Sequence, residues 1–327
     1  MFRSALVLFT TLLTVPCWGA LNHNQNSVVA LSKTYGFLFG QEYSLRRIEA
    51  TYPDLRIQVQ LARLEFDTTF PGVKENLEAE LTSAIGSTNF DKVRAQTESG
   101  VRGLLDQQAM TPTLAQQFVG QVRARAKGNE MEAEVLNYLL AVQYAQDPVG
   151  EFLAGFRQRF RTDGTGKSQG VRLNLQVPRS WVAQEGERPH IVRKWASEGG
   201  TGLSYIMLDI RDAQGYSPTA REIEQFVRSG EAREMFSEFG QVLDIGSFSV
   251  EGRTGYWSEL AMTQERAGFR LYLRGLMYQL FLSGRAIGII CMAGAKEGEN
   301  QKADTAALLV KPVCQQVINS LVLEQVY

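Results

Sequence analysis

Side chains able to do chemistry on a substrate are few in this sequence, and their spacing matches no catalytic device. Histidine occurs twice, at His23 and His190, so a Ser-His-Asp or Cys-His arrangement would have to use one of them. No G-x-S-x-G, H-E-x-x-H or C-x-x-C run occurs, and with them go the usual nucleophile-turn and metal-ligand signatures. His190 has no partner at ligand spacing. No metal site and no cofactor is therefore expected. Gly166-Lys167-Ser168 copies the tail of a phosphate-binding loop, but Arg161 stands where that motif needs its first glycine. The flanking elements, helix before and strand after, are also in the reverse order. Carboxylate-pair chemistry stays open, because any two of the 35 acidic residues can converge in space. The densest cluster, Glu130, Glu132 and Glu134, alternates along a helix pattern, does not share a face, and reads as solvated surface.

Aromatic residues offer a second kind of site. Trp195, Tyr256 and Trp257 lie on strand patterns in which one of two neighbours must face outward, so they are core residues or the lining of a groove. Phe152, Phe156 and Phe160 share one face if PVGEFLAGFRQRF is a helix, a face that packs within its own domain or forms an interface.

The elements that must position these residues start with the chain's first twenty. Arg3, an apolar run from Ala5 to Val15, Pro16 and the small pair Gly19-Ala20 have the layout of a secretory signal peptide, residues 1–20. The run is shorter than the roughly 20 residues of a membrane span. Cleavage after Gly19 puts Cys17 and Gly19 at the small-residue positions, whereas cleavage after Ala20 puts Trp18 there. A lipid anchor would need a small residue before Cys17 and finds Pro16. A periplasmic or secreted protein with no stable membrane anchor is the expectation. Two cysteines then remain, Cys291 and Cys314. In an oxidising compartment they are a disulfide candidate, preferred over two buried thiols.

Residues 21–162 read as a helical domain. Ile57, Leu61 and Leu64 define one apolar stripe, Val73, Leu77 and Leu81 another, and Leu114, Phe118 and Val122 a third, each read as a buried face. Thr111-Pro112 and Asp147-Pro148 look like helix starts. Asn129 with Glu132 suggests a capping box, and Gly86, Gly128 and Gly164 suggest helix ends. The Gly-rich stretch 163–170 reads as the linker.

Residues 171–327 alternate between strand and helix patterns. Val171, Leu173, Leu175 and Val177 face one side of a strand that Pro178 ends. Thr219 with Glu222 caps a helix that Ser229-Gly230 interrupts. The longest apolar stretch, 271–295, divides at Ser283-Gly284-Arg285 into two strands of an antiparallel sheet centre, with Ile287, Ile289 and Cys291 toward one helical layer. A closing helix carries Val310, Cys314, Val317, Ile318 and Leu321 on one face, with Pro312 kinking or beginning it. The fold class expected is α+β, a helical domain followed by one antiparallel sheet flanked by helices.

The order of these elements, with Pro178 and Trp181 after the first strand and Asn319-Ser320-Leu321 in the last helix, resembles the PsbP-like family, which includes Mog-like proteins. The resemblance covers roughly the last 155 residues, leaves the helical half unrecognised, and implies an α-β-α sandwich without common catalytic residues. It transfers no site residue. Formal net charge is −1, with no basic excess for nucleic acid. The preferred reading is an exported, non-catalytic binding or assembly-accessory protein of the bacterial cell envelope, whose partner is another envelope or secreted protein. The alternative is an envelope hydrolase using a carboxylate pair on glycan or peptide.

Overall fold

A computed structural model describes Leu21, residues 23–266 and residues 268–326. The expected signal, residues 1–20, lies outside the described residues. Among the described residues seven α-helices come first: α1 (Gln25–Thr51), α2 (Arg56–Thr69), α3 (Val73–Ile85), α4 (Ser87–Asp106), α5 (Pro112–Arg125), α6 (Ala133–Gln143) and α7 (Pro148–Leu153). Helix α1 is the axis of this half and touches each of α2 to α6. Its start is fixed by a reciprocal cap, in which Asn24 accepts from the Ser27 N–H and Ser27 Oγ accepts from the Asn24 N–H. Leu31, Ile48, Val59, Leu77, Leu81 and Leu139 close the core around it.

Two of the three expected stripes need correction. Val73, Leu77 and Leu81 are buried, but Ile57, Leu61 and Leu64 are 71%, 47% and 62% exposed, and α2 buries Val59, Ala62 and Phe66 instead. On α5, Val122 is buried and Phe118 half-buried, but Leu114 points outward; Ala115 and Val119 complete the inner face. Both helices carry two apolar stripes, and burial went to the one containing small residues that let α2 and α5 approach each other. Thr111 and Asp147 do cap their helices. Asn129 does not: α6 starts at Ala133, after Glu132, with no side-chain cap. Gly86 and Gly128 end helices with positive φ, whereas Gly164 lies in a strand connection.

The expected helix through Phe152, Phe156 and Phe160 stops at Leu153. Gly155 takes φ +91°, a left-handed conformation open to glycine, and reverses the chain. Strand β1 (Arg157–Arg161) follows and pairs antiparallel with β2 (Leu173–Pro178). Residues 163–170 therefore connect two paired strands and are not an interdomain linker. The change between the two apolar cores begins earlier: Tyr144 and Ala145 pack with the helical core, Val149 and Phe152 with the sandwich core, and Phe156 reaches back to the helical core.

After β2 come β3 (Val182–Gln184), β4 (Ile191–Ala196), β5 (Tyr205–Asp212), α8 (Ala220–Ser229), α9 (Glu231–Ser237), β6 (Gln241–Val250), β7 (Arg253–Arg266), β8 (Phe269–Leu282), β9 (Arg285–Lys296), α10 (Asn300–Asn319) and β10 (Val322–Leu323). They form two sheets where one was expected: a seven-stranded sheet, β3-β4-β5-β9-β8-β7-β6, and a small one, β1-β2-β10. Every pairing is antiparallel. Strand β9 is central, and Ser283 and Gly284 both take positive φ in the tight turn that joins it to β8.

One face of the large sheet, with Ile206, Leu208, Leu276, Ile287, Ile289 and Cys291, packs against α10 and the inner side of β2. The other packs Tyr256, Leu260, Met277 and Phe281 against Ile223 and Phe236 of α8 and α9. Thr219 and Glu222 make the expected capping box, and Gly230, at φ +90°, separates the two helices. Pro312 sits inside α10. The architecture is α+β, an α-β-α sandwich with a helical half before it.

Candidate functional site

Cys291 and Cys314 form a disulfide, with Cα atoms 6.0 Å apart. It joins the central strand to α10. The paired row Trp195, Ile206, Cys291, Leu276 and Glu259 shows what shares this face from β4 to β7. The row ends on a charge. Glu259, 8% exposed, accepts from Arg274 Nη2 at 2.8 Å and from Lys311 Nζ of α10 at 2.8 Å. Arg274 also donates to Asp304 at 3.2 Å. Burial raises the Glu259 pKa, the Lys311 and Arg274 hydrogen bonds lower it, and the cations win. A carboxylate held between two cations is an ionic clamp between sheet and helix; it is poorly placed to take a proton.

The expected aromatic residues go to four places. Trp195 and Tyr256 are core residues on opposite faces of the sheet, and burial pushes the Tyr256 hydroxyl up to about 12. The three phenylalanines separate. Phe152 lies in the sandwich core, Phe156 stacks on Phe70 of the helical half, and Phe160 meets Trp195 edge-on. Trp257 alone of the first trio is half-buried at the surface, where its indole lies over Gly246 of β6. A Cβ on Gly246 would come within 2.8 Å of the indole nitrogen. The reciprocal contact is one step along: Phe248 of β6 lies over Gly255 of β7 and reaches Tyr278 at 5.2 Å. Two rings and two glycines thus interlock on one face of the β6–β7 hairpin. The sequence carries a glycine in each of these strands, Gly246 and Gly255, but nothing in it sets the register that puts an aromatic ring over each.

A buried carboxylate that sequence reasoning missed lies where the two halves meet. Glu151 of α7, 1% exposed, accepts from the Ser180 N–H at 2.7 Å and from Ser180 Oγ at 2.6 Å. Burial raises its pKa to about 7 against the opposing pull of the Ser180 and Arg179 donors. Ser180 is itself 2% exposed, so the pair is closed to substrate. The Ser180 carbonyl accepts from Gly199 N–H at 3.1 Å, and Gly199 lies so close under the Tyr138 ring of α6 that a Cβ there would be 2.6 Å from it.

His23 has Nε2 3.3 Å from Glu80 Oε2 without a hydrogen bond between them, and that oxygen accepts from the Leu21 N–H. Burial lowers the pKa of His23 and raises that of Glu80, so both move toward their neutral forms. His190 holds a strand end through its carbonyl, which accepts from the Ile210 N–H. Glu132 and Glu134 share Lys33 of α1, at 2.6 and 2.9 Å, and Glu130 takes positive φ in the turn before α6. Among the described residues no three of His, Cys, Asp and Glu gather as metal ligands, and no helix is long and apolar enough to cross a membrane.

What the surface does carry is the α2 stripe. Ile57, Leu61 and Leu64, at i, i+4 and i+7, form an outward apolar ridge on a helix whose opposite face is already buried. Leaving these three aliphatic side chains half or more in water forgoes roughly 1–2 kcal/mol of burial for each, a gain that a covering surface would recover.

No family model matches the sequence. No curated protein matches it either. The C-terminal half resembles solved structures of the PsbP-like and Mog-like fold. Cyanobacterial PsbP from Synechocystis is 11% identical over 51% of this chain and 92% of its own, with a TM-score of 0.29. The Ran-binding protein Mog1p of Saccharomyces cerevisiae is 10% identical over 52% and 98%, with a TM-score of 0.34. LpqN of Mycobacterium tuberculosis, described as involved in cell envelope biogenesis, is 13% identical over 47% and 88%, with a TM-score of 0.28. At these identities and scores the likeness says nothing about activity.

Proposed function

We propose that this chain is an exported, periplasmic or secreted, non-catalytic binding or assembly-accessory protein of the bacterial cell envelope. It acts through contact with another envelope or secreted protein, and its docking face is α2. The observation that carries this reading is the outward ridge of Ile57, Leu61 and Leu64 on a helix already fully packed on its other side. The disulfide between Cys291 and Cys314 supports an oxidising compartment. The hydrolase reading has no such support. The acidic pairs described, Glu259 with Asp304 and Glu132 with Glu134, are each bridged by a cation.

The test is site-specific photo-crosslinking in intact cells, with the reactive group at Leu61 and, as control, at exposed Lys92 of α4. A discrete adduct from position 61, absent from position 92 and lost when Ile57 and Leu64 become serine, is the expected result. No adduct at position 61, or the same adducts from both positions, would overturn the α2 reading.

A further inference from the structure

We propose that β6 is a self-pairing edge, at which a second copy of this chain adds its own β6 antiparallel and joins the two seven-stranded sheets into one. An edge strand exposes a row of unpaired backbone donors and acceptors, and proteins blunt that hazard with short edges, lysine, proline or outward charge. The other edges here are blunted. Strand β3 is three residues long, and β1 alternates Arg157, Arg159 and Arg161. Strand β6, QVLDIGSFSV, is ten residues long, with no proline, lysine or arginine and with Asp244 as its single charge.

The hairpin at its end sets which groups point outward. Glu251 and Gly252 both take positive φ in a two-residue turn, so Val250 and Arg253 are the closing hydrogen-bonded pair. Alternation then directs the N–H and C=O of residues 246, 248 and 250 to β7 and those of Ile245, Ser247 and Ser249 outward. Only the first of these is plugged: the Ile245 N–H donates to Oδ1 of Asp244 at 2.8 Å.

Three features select a second copy over an unrelated strand. With Ser247 opposite its own counterpart across a two-fold axis, Ile245 faces Ser249, and the six outward groups of each strand fall into hydrogen-bonded pairs. In that register Gly246 faces Phe248 of the other copy, on the face where Phe248 and Trp257 already lie over glycines. The glycine–aromatic pattern that joins β6 to β7 is repeated at the new junction. Finally, Asp244 at one end of the edge and Arg253 at the other lie on that same face. Antiparallel pairing brings each Asp244 to within two strand spacings, roughly 10 Å, of the other copy's Arg253, a span the two side chains cover together. Arg253 is exposed and has no other partner among the described residues. Asp244 releases the Ile245 N–H to the incoming strand and takes Arg253 in exchange. This edge is on the half opposite α2, so its outcome and that of the partner reading are independent.

Two measurements on the purified protein test the pairing. Ser247→Cys should be linked into a dimer by a short bifunctional thiol crosslinker, because residues opposite themselves in a hydrogen-bonded pair have Cα atoms about 5.5 Å apart, with Cβ atoms a little too far apart for a direct disulfide. Ser249→Cys, which faces Ile245, should give none. In sedimentation equilibrium the wild-type mass should rise toward that of a dimer with concentration. Asp244→Arg or Arg253→Asp should each weaken association by about tenfold or more, and the double exchange should restore it. Ser247→Pro should abolish association and leave the Tm of the wild-type monomer at low concentration, since the N–H it removes points away from β7. A wild type that stays monomeric over its whole soluble range overturns the proposal. So does a Ser247→Cys variant that fails to crosslink, or a charge exchange that does not restore pairing.

Discussion

Reducing the Cys291–Cys314 bond without changing any side chain isolates what the crosslink contributes. The bond closes a separation of 23 residues. In the chain-entropy relation, a loop of that size removes about 11 cal/mol/K from the unfolded ensemble, or roughly 3 kcal/mol at 25 °C. Both cysteines are essentially inaccessible, at 1% and 0% exposure, so the thiols left behind remain packed between β9 and α10 as small apolar groups. The native contacts therefore stay as they were, and the loss falls on the unfolded state. At about 2–4 °C per kcal/mol for a domain of this size, Tm should drop by roughly 6–12 °C. The assay is paired urea and thermal melts with and without reductant, with thiol labelling after unfolding to confirm that the bond is open. A fully reduced protein whose midpoint moves by less than about 1 kcal/mol would refute the reasoning, because the loop would then be ordered in the unfolded chain.

Other outcomes follow from the same geometry. Glu151 has a folded-state pKa near 7, above its ordinary value of 4.5. Its contribution is thus fully present below about pH 4.5 and is lost as pH rises toward 7; Glu151→Gln should flatten that slope in pH-dependent denaturation. Glu259 has a depressed pKa, so its contribution is present above the ordinary carboxylate range and lost in acid. Glu259→Gln should cost about 1–2 kcal/mol at pH 7, with the difference from wild type vanishing in acid melts. Changing Ile57, Leu61 and Leu64 to serine should move the melting midpoint by no more than about 0.5 kcal/mol each, whereas Phe66→Ala, in the buried face of the same helix, should cost about 3–5 kcal/mol.

The helix α2 shows how far the sequence could be read. Its residues offer two apolar stripes, Ile57-Leu61-Leu64 and Val59-Ala62-Phe66, and periodicity alone ranks the bulkier one inward. Which stripe is buried depends on how closely α5 approaches, and that is set by Ala62 and by Ala115 on the facing helix, both fully buried. Such information is tertiary. The same holds for β1. Phe152, Phe156 and Phe160 keep helical spacing, and only Gly155 with φ +91°, together with the partner strand β2, turns Arg157–Arg161 into an edge strand. By contrast, the β8–β9 hairpin, the Thr219 cap and the Cys291–Cys314 bond were legible because each is specified by neighbours in sequence or by a single pairing choice. Glu259 was not, since nothing in its surroundings announces that Arg274 and Lys311 will meet it from two other elements.

Glu151 ties the two halves together, and the tie runs through backbone groups. The carboxylate holds Ser180 by its N–H and hydroxyl, the Ser180 carbonyl holds the N–H of Gly199, and Gly199 lies against Tyr138 of α6. Helix α7, which carries Glu151, packs on α10 and β2, so one residue joins the closing helix of the sandwich to the turn that meets the helical half. Phe156 against Phe70 is one apolar contact between the halves, and the Tyr138 ring on Gly199, held from behind by three donated hydrogen bonds, is the other contact described. Gly199 is the residue on which it turns, because at φ +67° under an aromatic ring any side chain would be both strained and in collision. Gly199→Ala should therefore disturb the contact with α6 while leaving the seven-stranded sheet intact. Hydrogen exchange would show this as faster opening of 133–143 with unchanged protection of 285–296, and equal loss of protection in both segments would mean that the two halves unfold as one unit.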